Sequence, residues 1–264
     1  MVFGARCSGM KISIVTPSYN QVQFIERTVT SVLSQTGDFV LEYIIVDGGS
    51  TDGSLDVIKR YAAQDQRINW LSEPDHGQSD AINKGLHLAT GEVVAYLNSD
   101  DIYYPGALQR VVETFQNTSV KWAYGQCRVI NEQDEETNRF ITLYKNILLH
   151  HYHYRLLLIV NYISQPATFW RRQLLAEIGY VNETEHLTMD YDLWCRFGQR
   201  YPAMPIKQYL AGFRLYTTSK SGQRYVQQFQ QEYAVAKRYT HSWFILWLHK
   251  IHSTIVILMY KIIR

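Results

Sequence analysis

The chain has 264 residues, 46% of them hydrophobic and 19% charged, with a formal net charge of +2. That length and balance describe one folded domain with a sizeable core and exclude an intrinsically disordered chain. The charge is too small to argue for a nucleic-acid partner, although the first hundred residues are acid-rich and the tail after Lys220 is basic.

Cys7, Cys127 and Cys195 are far apart and lack C-x-x-C spacing. They fit a reducing compartment and argue against a zinc site or a disulfide framework. Residues 1–9 carry no apolar run and read as an N-terminal extension, not a secretory signal. The 20 tyrosines and six tryptophans suit core packing first and sugar-binding faces second.

In chain order, Lys11–Thr16 is a strand ended by Pro17. Asn20 reads as the N-cap of a helix with Val22, Ile25, Val29, Val32 and Leu33 at helical spacing. Leu41–Val46 is a second strand, and Ser50, Thr51 and Asp52 offer caps for a helix carrying Leu55, Ile58 and Tyr61. Ile68–Leu71 is a short third strand. A helix over 79–89 follows, with Ala81, Ile82, Leu86 and Ala89 inward and Gly91 as its stop; Glu92–Leu97 is the fourth strand. This alternation predicts an α/β domain with a mostly parallel central sheet flanked by helices. Ligands of such sheets bind at the carboxyl ends of strands, where Asp47 and the pair Asp100–Asp101 fall.

The second half is less regular. Pro105–Gln116 reads as a helix, Trp122–Ile130 as a strand and Asn131–Asn138 as a polar turn. Lys145–Tyr162 is apolar and aromatic; its His150, His151 and His153 read as a surface or membrane-facing cluster or, alternatively, as ligands. Gln165–Trp170 is a strand, Arg171–Ile178 and Tyr191–Arg200 are helices, and Tyr209–Tyr216 is a strand. With no repeat and no long linker, residues 10–104 and 105–221 form two halves of one domain, 10–221, followed by a basic, hydrophobic helical segment over 222–264.

Ser242–Arg264 is apolar but interrupted by His249, Lys250 and His252. A membrane span wants ~20 apolar residues, and a central lysine costs roughly 2.5–3.5 kcal/mol. An interfacial helix on a membrane surface therefore fits better than a span, with a packing or oligomer helix as the alternative.

The polar turns carry the chemistry. G-x-G-x-x-G after a strand and G-x-x-x-x-G-K-[ST] are both absent, which argues against a dinucleotide oxidoreductase or a P-loop enzyme. Thr16-Pro17-Ser18-Tyr19-Asn20 lies on the first strand-to-helix turn, suited to an anion or base edge, or simply to capping the helix. Asp47-Gly48-Gly49-Ser50-Thr51-Asp52-Gly53 joins a strand-end acid to glycines that permit close backbone approach. A carboxylate there could accept a nucleobase ring N–H; an ordinary turn is the other reading. In Asp75–Gly85, Lys84 could reach a phosphate or remain a solvated helix lysine.

The sharpest signal is Tyr96-Leu97-Asn98-Ser99-Asp100-Asp101, an apolar strand ending in adjacent acids. Close carboxylates repel and are costly to desolvate, whereas Mg²⁺ or Mn²⁺ prefers such oxygens and leaves room for a diphosphate. Asp190-Tyr191-Asp192 is a second acidic pair at a loop-to-helix boundary, one acid for a cleft and one for the cap, or both for the cap.

Together these segments resemble the inverting family-2 glycosyltransferases of GT-A type, which use nucleoside-diphosphate sugars. The resemblance runs from about Lys11 to Ser221 and includes Gln165-Pro166-Ala167-Thr168-Phe169-Trp170-Arg171-Arg172 and Met189-Asp190-Tyr191-Asp192-Leu193-Trp194. It implies that Asp47 contacts the nucleobase, with Pro17 and Tyr19 lining its pocket. Asp100 and Asp101 fill the D-x-D role, with Asp100 also serving the donor, and Asp190 is the general base that deprotonates an acceptor hydroxyl.

Two positions depart from the pattern. Asn98 stands where a first acid often lies, and Tyr216 where many relatives have histidine. The expectation is a cytoplasmic enzyme, peripheral on the inner face of the plasma membrane, that builds a polysaccharide or lipid-linked glycan. A nucleotidyltransferase lacks its Gly-rich basic loop here. A non-catalytic nucleotide-sugar-binding protein with a degenerate site is the alternative from another class.

Overall fold

The computed structural model describes residues 9–217, 219 and 223–263; the expected extension, apart from Gly9, lies outside them, as do Lys220 and Ser221. The first half alternates as expected. Strands β1 (Met10–Ser18), β2 (Phe39–Asp47), β3 (Ile68–Ser72) and β4 (Val93–Tyr96) are connected through helices α1 (Ile25–Leu33), α2 (Ser54–Gln64) and α3 (Gln78–Leu88). β1 pairs in parallel with β2 and β4, and β2 with β3.

The remainder is β5 (Ile102–Tyr103), α4 (Ala107–Phe115), β6 (Trp122–Ile130), α5 (Arg139–Leu149), α6 (Tyr154–Ile159), a 3-10 turn (Gln165–Ala167), β7 (Thr168–Arg171), α7 (Gln173–Ile178), α8 (Met189–Arg200), β8 (Met204–Arg214), α9 (Tyr225–Tyr239) and α10 (Trp243–Ile263). All the strands join one sheet in the order β3-β2-β1-β4-β7-β6-β8-β5, with β4–β7, β6–β7 and β5–β8 antiparallel.

The central strands β1, β2 and β4 are buried on both faces over most of their length, so they read as nearly continuous apolar runs. One core layer packs Ile14, Val29, Ile45, Leu108 and Phe169 on the α1, α2 and α4 side. The other packs Val15, Val46, Leu86, Trp122, Trp170, Trp194 and Phe197 beneath α3 and α8. Trp122 and Trp194 stack with ring centroids 5.9 Å apart, so a good part of the aromatic excess serves the core. β1 lies between β2 and β4, so the chain's crossovers diverge there and a crevice opens beyond the ends of β1 and β4.

Local expectations fail where side chains bridge two turns. Asn20 does not cap α1: it has φ +50°, and its Oδ1 accepts the Thr51 N–H at 2.9 Å, while the helix starts only after Phe24. Asp52 does not cap α2, whose N-cap is Gly53 at φ +101°; its carboxylate accepts from the Val22 and Ser54 N–H groups. These bonds join the first two strand-to-helix turns into one rigid rim. Gln165–Ala167 is a 3-10 turn and not strand, and β8 begins at Met204, with register shifts against β6 at Gln126.

Candidate active site

A cavity of about 820 Å³ occupies the crevice at the carboxyl ends of β1 and β4. Pro17, Tyr19, Gly48, Asp75, Gln78, Asn98 and Asp100 line it from the first half. Lys145, Asn161, Gln165, Asp190 and Tyr216 line it from the second, and Glu232 from the segment that follows. Of the residues singled out from sequence, Pro17, Tyr19, Asp100 and Asp190 meet here, across about 170 residues of chain.

Asp47, Lys84 and Asp101 do not reach this cavity. Asp47 is fully buried, and its carboxylate is filled by the Gly49 and Ser50 N–H groups and the Ser50 and Ser72 hydroxyls. It holds the turn, with three of these bonds on Oδ2 and one on Oδ1. The carboxylate that does face the cavity in this region is Asp75, which packs so closely on Gly48 that a Cβ there would lie 2.4 Å from its Oδ2. Gly48 is therefore needed for contact and not for turn geometry. Lys84 is tied to Glu73 (2.9 Å) and Asp80 (3.2 Å), an i,i+4 pair on α3.

The two strand-end acids have opposite environments. Asp101 is fully buried, and its Oδ1 accepts the Arg214 backbone N–H at 2.8 Å while Oδ2 accepts from Asn98 at 3.2 Å. Burial and the neighbouring Asp100 charge push its pKa well above the ordinary carboxylate value, and its two bonds tie the end of β4 to β8. Asp100 faces the cavity half-buried, and its Oδ2 accepts from the Tyr216 hydroxyl at 3.1 Å. Tyr216 thus takes up a position on the acid that the sequence singled out.

Arg214, missed by the sequence reading, fixes the turn. Its guanidinium is buried over the Phe24 ring, donates to the Asp100 carbonyl at 2.7 Å and pairs with Asp134. Asn98 completes the wall: its Oδ1 accepts from Gln78 at 2.7 Å, and its Nδ2 is shared between Asp101 and Gln165, each at 3.2 Å. Gln165 in turn donates to the Tyr96 carbonyl. An acid at position 98 would have no proton to give Asp101, so the amide belongs to this network.

Asp190 and Asp192 both lie in the first turn of α8, and neither caps it through its side chain. Asp192 is buried, pairs with Arg196 within α8 and braces α8 against α9 through Arg238 and Tyr239. Asp190 points into the cavity. Burial raises its pKa above the ordinary carboxylate value, against the Tyr191 N–H and the Lys145 charge, which lower it. A carboxylate of heightened basicity in a cleft is suited to removing a proton.

Glu232, on α9, is a second acid in the cavity that the sequence reading did not single out. It is 4% exposed, and its Oε1 accepts from Asn161 (3.1 Å) and Gln228 (3.2 Å). Burial first, then the Asp190 charge, pushes its pKa up to about 7. Among the described residues no group of three or more His, Cys, Asp or Glu side chains is placed to hold a metal, so the histidines at 150, 151 and 153 form no ligand set. Cys127 and Cys195 are both buried and free.

The strand order and the position of the crevice define a mixed α/β domain of the GT-A architecture, and similarity to known proteins agrees. The chain belongs to a known family: the sequence model of Glycosyl transferase family 2 matches residues 13–179. An uncharacterized glycosyltransferase of Nostoc sp. is 40% identical over 134 residues, covering 50% of this chain and 41% of the relative. The TuaG glycosyltransferase of Bacillus subtilis, named for teichuronic acid biosynthesis, is 36% identical over 131 residues, or 49% and 52% of the two chains. The chain spans about half the length of these curated relatives.

Among solved structures, the mannosyltransferase PcManGT from Pyrobaculum calidifontis, in complex with GDP-Man and Mn²⁺, matches with a TM-score of 0.70 at 18% identity. That match covers 91% of this chain and 69% of the other. TarS 1-349 of S. aureus, in complex with UDP-GlcNAc, matches at 0.62 and 16% identity, over 86% and 66% of the two chains. At these identities the likeness is one of fold.

Proposed function

We propose that this protein is an inverting glycosyltransferase that moves a sugar from a nucleoside-diphosphate sugar to an acceptor hydroxyl, with Asp190 as general base. The observation that carries the reading is the convergence of Asp100 and Asp190, one on each half of the chain, on a single cavity. Asp190 takes the acceptor proton as the acceptor oxygen bonds to the anomeric carbon from one side. The bond from that carbon to the diphosphate oxygen breaks on the other side, and the nucleoside diphosphate leaves. One base suffices if the leaving group needs no proton, and alignment of the two partners supplies much of the rate.

The nucleoside end lies at Pro17, Tyr19 and Gly48, where Asp75 offers the carboxylate for a ring N–H. Binding of nucleotide sugars by the fold neighbours, and of Mn²⁺ by one of them, supports a donor and a divalent cation in this cavity. Asp100 is the protein ligand such a cation would use, with the donor's diphosphate and water completing its shell, and it would neutralise charge on the leaving group. The acceptor is a polysaccharide or lipid-linked glycan, a reading supported by the teichuronic-acid name of one relative.

The test is thermal stabilisation by UDP-, GDP- and dTDP-sugars with and without Mn²⁺, followed by donor turnover. One nucleotide should stabilise the wild type, and Asp100→Ala should abolish the effect. Asp190→Asn should bind the donor and fail to turn it over. No stabilisation of folded protein by any donor would sink the reading.

A further inference from the structure

Large apolar side chains stand exposed at fifteen described positions, and ten of these lie on just two helices, α5 and α10. On α10 they are Trp243, Phe244, Trp247, Ile251, Ile255 and Leu258. At 3.6 residues per turn these six fall within an arc of roughly 120°. The opposite face of the helix is the packed one: His249 is buried, and its Nδ1 lies 2.8 Å from the Leu158 carbonyl. α10 therefore has an apolar side in the protein and a second apolar side in solvent. On α5, Phe140, Leu143, Tyr144 and Ile147 form a comparable exposed face, within roughly 100°.

The two helices are joined where Tyr144 Oη meets His252 Nε2 at 3.0 Å with the rings stacked. Their inner faces also build part of the cavity wall, through Ile141 and Lys145 from α5 and His252 and Val256 from α10. The exposed apolar faces thus belong to the same two helices that wall the cavity.

Charge identifies the occupant. No aspartate or glutamate occurs from Thr137 to Ala176 or from Tyr233 to Arg264. Arg139 and Lys250 are exposed beside the two apolar faces. A second copy of the chain docked face to face here would bring these cations together with no acid on α5 or α10 to pair them. An anionic lipid surface matches both features, accepting large apolar side chains at the acyl boundary and lysine and arginine at its headgroups. No helix among the described residues is long and apolar enough to cross a membrane, consistent with α10 lying in the plane of the surface.

We propose that the outer faces of α5 and α10 form one platform that docks on an anionic bilayer and presents a lipid-linked acceptor to the cavity, the acceptor part resting on the glycosyltransferase reading above. Lys145 fits such an acceptor. It lines the cavity from α5 with no hydrogen-bond or ion-pair partner among the described residues, a position suited to the phosphate that links glycan to lipid.

The test uses the full chain and phosphatidylcholine vesicles with and without phosphatidylglycerol. The wild type should co-sediment with the anionic vesicles and shift its tryptophan emission to the blue, because Trp243 and Trp247 enter the interface. Trp247→Ser with Ile251→Ser should weaken vesicle binding by about tenfold or more, and Phe140→Ser with Ile147→Ser should do so independently. Stabilisation by a nucleotide sugar should be unchanged in both variants. Equal binding to neutral and anionic vesicles, no binding, or a wild-type dimer dispersed by these substitutions would overturn the platform. Vesicle binding without any donor response would leave the platform standing and sink the glycosyltransferase reading.

Discussion

Glu42 and Glu232 are both buried carboxylates, and the regions that hold them are built on opposite plans. Glu42 sits among the amino-terminal ends of β1, β2 and β4 and accepts from Lys11, Ser13 and the Thr90 N–H and hydroxyl. Burial pushes its pKa up, but those bonds outweigh it and hold the acid at about 2. Glu232, at the cavity, has only neutral amides for partners and rises to about 7. The first is an acid the fold satisfies; the second costs stability and is left facing a ligand site. Asp101 and Asp100 divide by position in the same way, one bonded into the turn and one facing the cavity, although there it is the buried member whose pKa is raised.

The largest expected effect is on catalysis. Asp190→Asn should lower sugar transfer by about 10²–10⁴-fold with the fold and donor binding intact, as removal of a general base does. Transfer by the wild type should fall on acidification with an apparent pKa above the ordinary carboxylate range, because Asp190 must be unprotonated to act and burial raises its proton affinity. A flat acidic limb in the pH–rate profile would remove Asp190 from the role.

Next comes the acid pair. Asp101→Ala should destabilise the protein by about 1–3 kcal/mol in denaturant unfolding, since it leaves the buried Arg214 N–H without its acceptor. Asp100→Ala should leave the midpoint close to wild type and abolish the donor's thermal shift. If the two variants behave alike, the division between strut and site is wrong.

Glu42→Gln should cost roughly 1–2 kcal/mol near neutral pH, because a charged acceptor with four bonds is replaced by a neutral one. The sign is fixed by its lowered pKa. Stability from Glu42 is complete above its ordinary value of 4.5 and is lost as pH falls towards 2. The variant's deficit should therefore shrink in acid, which urea midpoints at pH 7 and pH 3 would reveal.

The parallel half of the fold was legible because its strands are short apolar runs punctuated by Pro, Gly and Asp, and the sheet imposes no other pattern on them. The second half was not, because β8 is offset by register shifts and Gln165 begins a turn whose role is to reach Tyr96. The acid pair was visible, but which member faces the cavity depends on Arg214, some 110 residues away. A strand-end acid before glycines does not disclose that four local donors will bond Asp47. For Lys84 a signal was present in the Asp80–Lys84 spacing, which favours an ion pair over a free cation. Glu232 offered little: an acid on a polar helix reads as solvated until Asn161 and the cavity close over it.

Glu232→Gln carries the smallest effect and tests the contrast most directly. Its folded pKa, about 7, lies above the ordinary 4.5, so between these values the folded chain keeps a proton that the unfolded chain releases. Stability from this group is full below pH 4.5 and declines as pH rises through 7. Glutamine retains an acceptor for Asn161 and Gln228 and has no proton to lose. The variant should match the wild type near pH 4.5 and become more stable above pH 7, by about 1 kcal/mol once relaxation of a cavity wall is allowed for. A gap that does not change with pH would mean that Glu232 keeps one charge state throughout. A cavity ligand that pairs with the ionised acid should close the gap at high pH, so the same titration in the presence of donor or acceptor reports which of them Glu232 faces.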